Sequence, residues 1–135
     1  MVNRLYSAGR QGFLQGDIHW LTDNIKALLV NGGAYSPNTS TDTALSNVPA
    51  GSRTAVSPNL ANKTATAGVA DADDLTFPNV SGPVSGLVVI YKDTGVEATS
   101  TLICLIDTAN GLPVTPNSGP IAITFDQGAS KVFVL

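Results

Sequence analysis

The sequence has few charged residues and only single copies of several chemically informative types. Only 13% of its 135 residues are Asp, Glu, Lys or Arg, against roughly 25% in an average soluble domain. Glu97 is the only glutamate, His19 the only histidine and Cys104 the only cysteine. Glutamate is a good helix former, whereas the Thr, Ser, Asn, Gly and Pro that fill the polar positions favour strands and turns. A mainly β protein is therefore expected.

The small number of basic residues and their spacing argue against several classes of partner. The formal net charge is -3, and the seven basic residues are spread singly between Arg4 and Lys131. Nucleic-acid binding needs a clustered basic surface, so no nucleic-acid partner is expected. No apolar run approaches the roughly 20 residues of a membrane span, and a signal-peptide core is lacking, so we expect a soluble, unexported chain with no membrane partner.

Residues capable of catalysis or metal binding are sparse and isolated. His19 has no second histidine or nearby cysteine to complete a metal set, and we assign it a structural role. Asp71, Asp73 and Asp74 lack the glycine and terminal glutamate of a calcium loop, so a solvated turn is favoured. Cys104 has no partner for an intrachain disulfide and is expected to be a buried thiol. We therefore predict no enzymatic activity, no catalytic residues, no cofactor and no metal.

The chain length and the amino-terminal pattern define the expected organisation. With 135 residues the chain fits one domain, with an N-terminal arm or helix over 1–16 and a β domain over 17–135. Apolar and small residues at helical spacing predict a helix over 4–15 that Gly16 ends. Its two interior glycines, Gly9 and Gly12, weaken the helix but permit close packing.

Short apolar segments separated by turn residues predict six or seven strands. These segments are residues 25–30, 63–70, 75–80, 86–92, 101–107, and a closing hairpin formed by 121–126 and 131–135. Such spacing is typical of an antiparallel β-sandwich or barrel. Residues 34–62 predict one long polar loop, in which only 41–47 has a helical pattern with Asp42 as a possible cap. A loop of this length is either a contact region or an inert decoration.

Short matches along nearly the whole chain resemble a family of small virion structural proteins from tailed double-stranded DNA bacteriophages. At the N-terminus these matches are Asn3-Arg4-Leu5-Tyr6, Gly9-Arg10, Phe13-Leu14, Gly16-Asp17-Ile18 and Trp20. They continue through Ala67-Gly68-Val69, Asp71-Ala72-Asp73-Asp74, Val89-Ile90-Tyr91-Lys92-Asp93-Thr94-Gly95 and Gly111-Leu112-Pro113-Val114 to Phe133 and Leu135. The sequence departs from the family pattern at His19, where an acidic residue is expected, and at Phe125, where tryptophan is expected.

The resemblance implies a capsid decoration or cement protein that binds the major capsid protein. It also implies a location on the capsid surface of the virion, with assembly in the host cytoplasm, and it brings no catalytic residues. Binding at a symmetric lattice position favours a homo-oligomer, with a trimer preferred, because weak contacts are then repeated.

The predicted docking surface is the segment 2–13, which begins at Val2. Leu5, Tyr6 and Phe13 would be apolar anchors, while Arg4 and Arg10 would fix the orientation, because aromatic residues and arginine dominate interface energetics. The alternative is that this helix only covers one end of its own domain.

Two other functions remain open at this point. The protein could instead belong to the neck, tail or fibre base of the same virion, where fewer copies are needed. It could also be a carbohydrate-binding or host-surface-binding β module, although one tryptophan and three tyrosines offer little surface for stacking on a sugar.

Overall fold

Short antiparallel strands and one α-helix form the fold, which a computed structural model describes over residues 3–129 and 131–135. The helix α1 spans Ser7–Gln15. The strands are β1 (Asn3–Leu5), β2 (Ile25–Val30), β3 (Arg53–Val56), β4 (Thr64–Thr66), β5 (Val69–Asp71), β6 (Leu75–Phe77), β7 (Leu87–Lys92), β8 (Leu102–Ile106), β9 (Ile121–Ile123) and β10 (Phe133–Val134). This architecture confirms the predicted mainly β class with a short N-terminal helix. Within the described ranges, no helix is long and apolar enough to cross a membrane.

The strands form three antiparallel sheets. The largest has the order β1-β8-β7-β2-β3, the second has the order β10-β5-β4, and β6 pairs with β9. Every residue of β8 is buried, as are the four middle residues of β7. The near-continuous apolar sequence of these central strands therefore reflects a sheet that is covered on both faces.

The two faces of the five-stranded sheet belong to two separate hydrophobic clusters. On one face, Ile25, Ala27 and Leu29 of β2 pack in the larger cluster with residues of the two smaller sheets, including Phe77 and Phe133. On the other face, Leu28 and Val30 of β2 join Val89 and Leu105 in a smaller cluster. Alternate residues of one strand thus enter different cores, as the two-residue period of a strand requires.

The segment 34–62 differs from the single polar loop predicted for it. Tyr35, Leu45 and Val48 are buried and complete the smaller cluster, so this part of the chain is the cover of the second sheet face. Its later part contains β3, which pairs with β2 and forms the sheet edge. The prediction of one polar loop was wrong because a few apolar residues within a polar sequence are enough to bury the segment.

The predicted helical turn over 41–47 is confirmed only as a 3-10 turn at Leu45–Asn47, and its cap was assigned to the wrong residue. The Asn47 side-chain oxygen accepts hydrogen bonds from the Thr43 and Ala44 amides, at 2.9 and 3.1 Å. Asp42 instead accepts a hydrogen bond from the Tyr35 hydroxyl.

The N-terminal helix begins later than predicted. Residues Asn3–Leu5 form β1, which pairs with β8 and satisfies the backbone groups that a helix from residue 4 would have used. The helix therefore starts at Ser7 and ends as predicted at Gly16, whose φ of 78° lies in the left-handed region that favours glycine.

The start of the helix packs on a β-bulge in β8. The register between β7 and β8 shifts between Ile90 and Tyr91, which leaves Ile103 as the extra residue of β8. The Ile103 carbonyl accepts the Tyr6 amide at 2.9 Å. A Cβ atom on Gly9 would lie only 2.8 Å from the Ile103 Cα atom, so the close contact requires glycine.

The predicted closing hairpin does not form. The strand β9 pairs with β6, whereas β10 pairs with β5, so the two segments enter different sheets. In these pairings Ile121, Ile123 and Phe133 are buried in the larger cluster, where their apolar side chains are removed from water.

We expect Gly9→Ala to lower the free energy of unfolding by about 2 kcal/mol, because overpacking against backbone outweighs the gain of up to about 1 kcal/mol in helix propensity. Gly51→Ala is the matched control, since a Cβ atom there would have no neighbour within 4 Å. Chemical denaturation of both variants measures the effect. Equal stabilities of the two variants would contradict the close packing at Ile103.

Candidate functional site

The five residues predicted to dock a partner lie in different environments. Leu5 is 8% exposed and Tyr6 is fully buried, so the chain's own sheet already covers these two expected anchors. Arg4 forms an ion pair with Asp107 at 3.0 Å. Arg10 is exposed and Phe13 is half-buried.

The choice of Leu5 and Tyr6 as exposed anchors is therefore corrected. Leu5 lies in β1 and packs in the larger core, while Tyr6 joins the second core directly before the helix. Val2, at which the predicted docking segment begins, lies outside the described residues. Arg10 and Phe13 are the members of the set that stay accessible on the helix.

Tyr6 instead connects the N-terminal segment to the cover of the second sheet face. Its hydroxyl lies 3.0 Å from the Tyr35 hydroxyl, which donates a hydrogen bond to Asp42 at 2.7 Å. In addition, the Ser7 amide donates to the Thr39 carbonyl at 2.8 Å. Burial raises the pKa of Tyr6 to about 12, although the hydrogen bond with Tyr35 acts in the opposite direction. The pKa of Tyr35 is also raised, chiefly by burial.

An open apolar groove of about 410 Å³ lies between the helix end, the turn at residues 19–22 and the three-stranded sheet. Its lining includes Phe13, Trp20, Leu21, Val69, Phe133 and Leu135. Loops and strands from distant parts of the chain therefore meet in one apolar surface.

Aromatic packing and hydrogen bonds hold the floor of this groove in place. The Phe133 ring lies 5.2 Å from Trp20 in an edge-to-face arrangement and 5.7 Å from Phe13. The Trp20 indole N–H donates to the Thr64 carbonyl at 3.0 Å and lies 3.3 Å from the Asp71 carbonyl. The indole thereby joins the 19–22 turn to β4 and β5, so the groove is fixed by its own domain.

Large apolar side chains remain exposed around the groove. Leu21 is 57% exposed and Leu135 is 59% exposed, and both line it. Leu14 follows Phe13 at the end of the helix and is 83% exposed. Clustered exposed apolar residues of this kind mark interaction surfaces, whereas singly scattered ones are ordinary.

Arg10 lies one helical turn before Phe13, on the same helix face as Phe13 and Leu14. In residues 3–129 and 131–135, every other lysine and arginine forms an ion pair or a side-chain hydrogen bond. These are Arg4, Lys26, Arg53, Lys63, Lys92 and Lys131. Within the described residues, Arg10 therefore presents an uncompensated positive charge one helical turn before Phe13, which lines the groove.

The acidic segment does not converge on one point. The Asp73 carboxylate accepts a hydrogen bond from the Asn62 side chain at 2.6 Å, and the Asp74 carboxylate accepts the Phe125 amide at 2.9 Å. Asp71 is the last residue of β5. Across the described ranges, no group of three or more His, Cys, Asp or Glu could hold a metal ion.

The two isolated residues of potential chemical interest have ordinary structural surroundings. The His19 Nδ1 atom lies 3.8 Å from the Asp23 carboxylate, and its imidazole is largely exposed at the groove rim. Cys104 is fully buried in β8, as predicted, and burial raises the pKa of its thiol to about 12. A thiol in this state is a poor nucleophile.

Sequence reasoning identified Phe13 and Arg10 but missed the groove itself. Trp20, Leu21 and Phe133 are far apart in sequence, and no local periodicity connects them. One signal was available, because Trp20 and Leu21 are two adjacent large apolar residues between the polar His19 and the polar residues 22–24.

Over the residues that the structure describes, the protein is a mainly β domain with an open apolar groove, and Arg10, one helical turn before the lining residue Phe13, forms no ion pair. No family model matches the sequence, and a search of curated proteins finds no similar one. The similarity to phage virion proteins thus stays a prediction based on the residues quoted above.

We expect the stability of the protein to fall as the pH rises from about 10 towards about 12. The Tyr6 phenol ionises near pH 10 in the unfolded chain and near pH 12 in the fold, so alkaline pH favours unfolding. In Tyr6→Phe the free energy of unfolding should fall less over this pH range, by on the order of 2 kcal/mol, because the variant lacks the Tyr6 phenol that ionises on unfolding. Denaturant titrations across this pH range test the expectation, and an identical pH dependence in both proteins would contradict it.

Proposed function

We propose that this protein is a non-enzymatic structural component of a tailed-phage virion, where it decorates and cements the capsid by binding the major capsid protein. The observation that carries the proposal is the open apolar groove, with Arg10 one helical turn before its lining residue Phe13, since apolar and aromatic side chains with arginine are typical of binding hot spots. The ordered sequence matches to phage virion proteins support the choice of particle. The protein would be in the host cytoplasm during assembly and on the capsid surface afterwards.

The size of the domain is compatible with such a role. A standard stable interface takes about 800 Å² from each partner, and the described chain exposes 6408 Å². The groove and the Arg10 face of the helix would thus supply the centre of a contact that uses a modest share of the surface. On a capsid lattice, a trimer would repeat each contact three times, which strengthens binding without new chemistry.

The rigidity of the groove supports binding to a repeated lattice. Trp20 is held by two backbone carbonyls and by Phe133. A surface that is already ordered loses little conformational entropy when a partner binds, so a small contact retains more of its interaction energy. This argument applies equally to a lattice in the neck or tail of a virion.

We expect about one copy of this protein for each copy of the major capsid protein in purified particles. Quantitative mass spectrometry against that protein gives the ratio. A few dozen copies or fewer per particle would instead favour a location in the neck, tail or fibre base, and absence from the particles would reject the virion role.

Leu21→Asp should weaken binding to particles that lack this protein by at least tenfold, because it places a charge in the apolar groove. Val96→Asp is the matched control, since Val96 is equally exposed, at 57%, but does not line the groove. Co-sedimentation of each purified variant with such particles measures the affinity. If both variants bind like the wild type, the groove is not the docking surface.

A further inference from the structure

The strand β4 is the outer strand of the three-stranded sheet, and no other strand of the described residues pairs with its second side. All three of its residues, Thr64, Ala65 and Thr66, are exposed. An uncovered strand edge presents backbone N–H and C=O groups that can pair with another chain.

The register of the β4–β5 hairpin shows which backbone groups face outwards. Thr66 pairs with Val69 across the two-residue turn Ala67–Gly68, and Ala65 pairs with Ala70. In a two-residue hairpin the pair that flanks the turn exchanges hydrogen bonds, so the next pair does not.

A hydrogen bond on the far side of β5 supports this register. The Ala70 carbonyl accepts the Val132 amide at 3.0 Å, and therefore points towards β10 and away from β4. The N–H and C=O groups of Ala65, opposite Ala70, correspondingly point to the open side of the sheet. In the part of the chain that the structure describes, neither group has a hydrogen-bond partner.

The usual protections of an edge strand are weak at β4. Natural edge strands are protected by lysines, prolines, bulges or covering segments. Lys63 lies directly before β4, but its ammonium donates hydrogen bonds to the Asp23 carbonyl at 2.6 Å and to the Asn59 side chain at 2.8 Å. Its charge is therefore engaged within the domain and protects the edge only weakly. By contrast, the edge strand β3 has a register shift against β2 and carries Arg53, which binds the neighbouring Val48 carbonyl.

The apolar groove begins at this same edge. Ala65 lines the groove together with Phe13, so a residue placed opposite Ala65 on an added strand would point towards the groove. Arg10 lies one helical turn before Phe13, and its uncompensated charge would be matched by a carboxylate on the incoming chain.

We propose that β4 accepts an extended segment of the partner protein as a fourth strand, with an apolar side chain in the groove and an acidic side chain at Arg10. The partner backbone would bond to the N–H and C=O groups of Ala65, and the side chains would select the segment. This inference rests on the proposed function, because it describes how the major capsid protein would be bound at the groove.

The test uses Ala65→Pro, which removes an outward N–H group without breaking a hydrogen bond of the fold, and prolines are tolerated on edge strands. Ala65→Ser keeps the N–H group and is the matched control. Arg10→Glu reverses the charge, and Arg10→Lys retains it. Circular dichroism melting curves verify that all four variants fold like the wild type.

In co-sedimentation with particles that lack this protein, Ala65→Pro and Arg10→Glu should each bind at least tenfold more weakly than the wild type. Ala65→Ser should bind normally, and Arg10→Lys should restore most of the affinity. Hydrogen–deuterium exchange read by mass spectrometry should show slower exchange in the peptide 63–66 only when the protein is bound to particles.

Three results would overturn the inference. If the wild type and Ala65→Pro bind equally well, the edge is not used, although the proposed function stands. If the wild type does not bind particles, the proposed function fails together with this inference. If analytical ultracentrifugation without particles shows wild-type self-association that Ala65→Pro abolishes, a second copy of this chain occupies the edge.

Discussion

The five-stranded sheet must be covered on both faces, and the rest of the structure depends on this requirement. Its central strands have apolar side chains in both directions, so a single packing layer would leave half of them in water. Exposure of a large apolar side chain costs about 1.5–3 kcal/mol. The chain meets the requirement with two small sheets on one face and an irregular segment with Tyr6 on the other.

The candidate site lies on the covering layer and not on the central sheet. The three-stranded sheet buries Phe133 and Ala70 against the larger core, whereas all three residues of its outer strand β4 are exposed. Trp20 fills the space between this sheet and the helix, and the groove remains where that filling ends. The groove is apolar because its lining comes mainly from apolar side chains of the helix end, the 19–22 turn and the three-stranded sheet.

Much of the fold could be predicted because the signal for a buried strand is local. The segments 25–30, 86–92 and 101–107 are mostly apolar, with polar residues only at Lys26 and at the segment ends, and each contains a central strand. Gly16 ends the helix as expected. Strand partners could not be predicted, because pairing depends on contacts between distant segments. For example, β9 pairs with β6 and β10 pairs with β5, although β9 and β10 were predicted to pair with each other.

In the candidate site, too, residue type could be predicted from the sequence but the three-dimensional surroundings could not. Arg10 and Phe13 were proposed as partner contacts from their residue types within a predicted helix, and in the structure Arg10 is exposed and Phe13 is half-buried. Leu5 and Tyr6 have the same residue types as interface anchors, but type alone does not distinguish an anchor from a core residue. The cover over 34–62 was missed for a related reason, since Tyr35, Leu45 and Val48 are isolated apolar residues within a polar sequence.

The pairing of Asn3–Leu5 with β8 gives the fold a high contact order. Asn3 lies opposite Ile106 in the paired strands, and the Asn3 side-chain amide donates a hydrogen bond to the Val132 carbonyl. Closing such long chain loops is slow, and domains dominated by non-local pairing fold in milliseconds to seconds. During synthesis the first strand and the helix packed on β8 must therefore wait for most of the chain to emerge before they find their native neighbours.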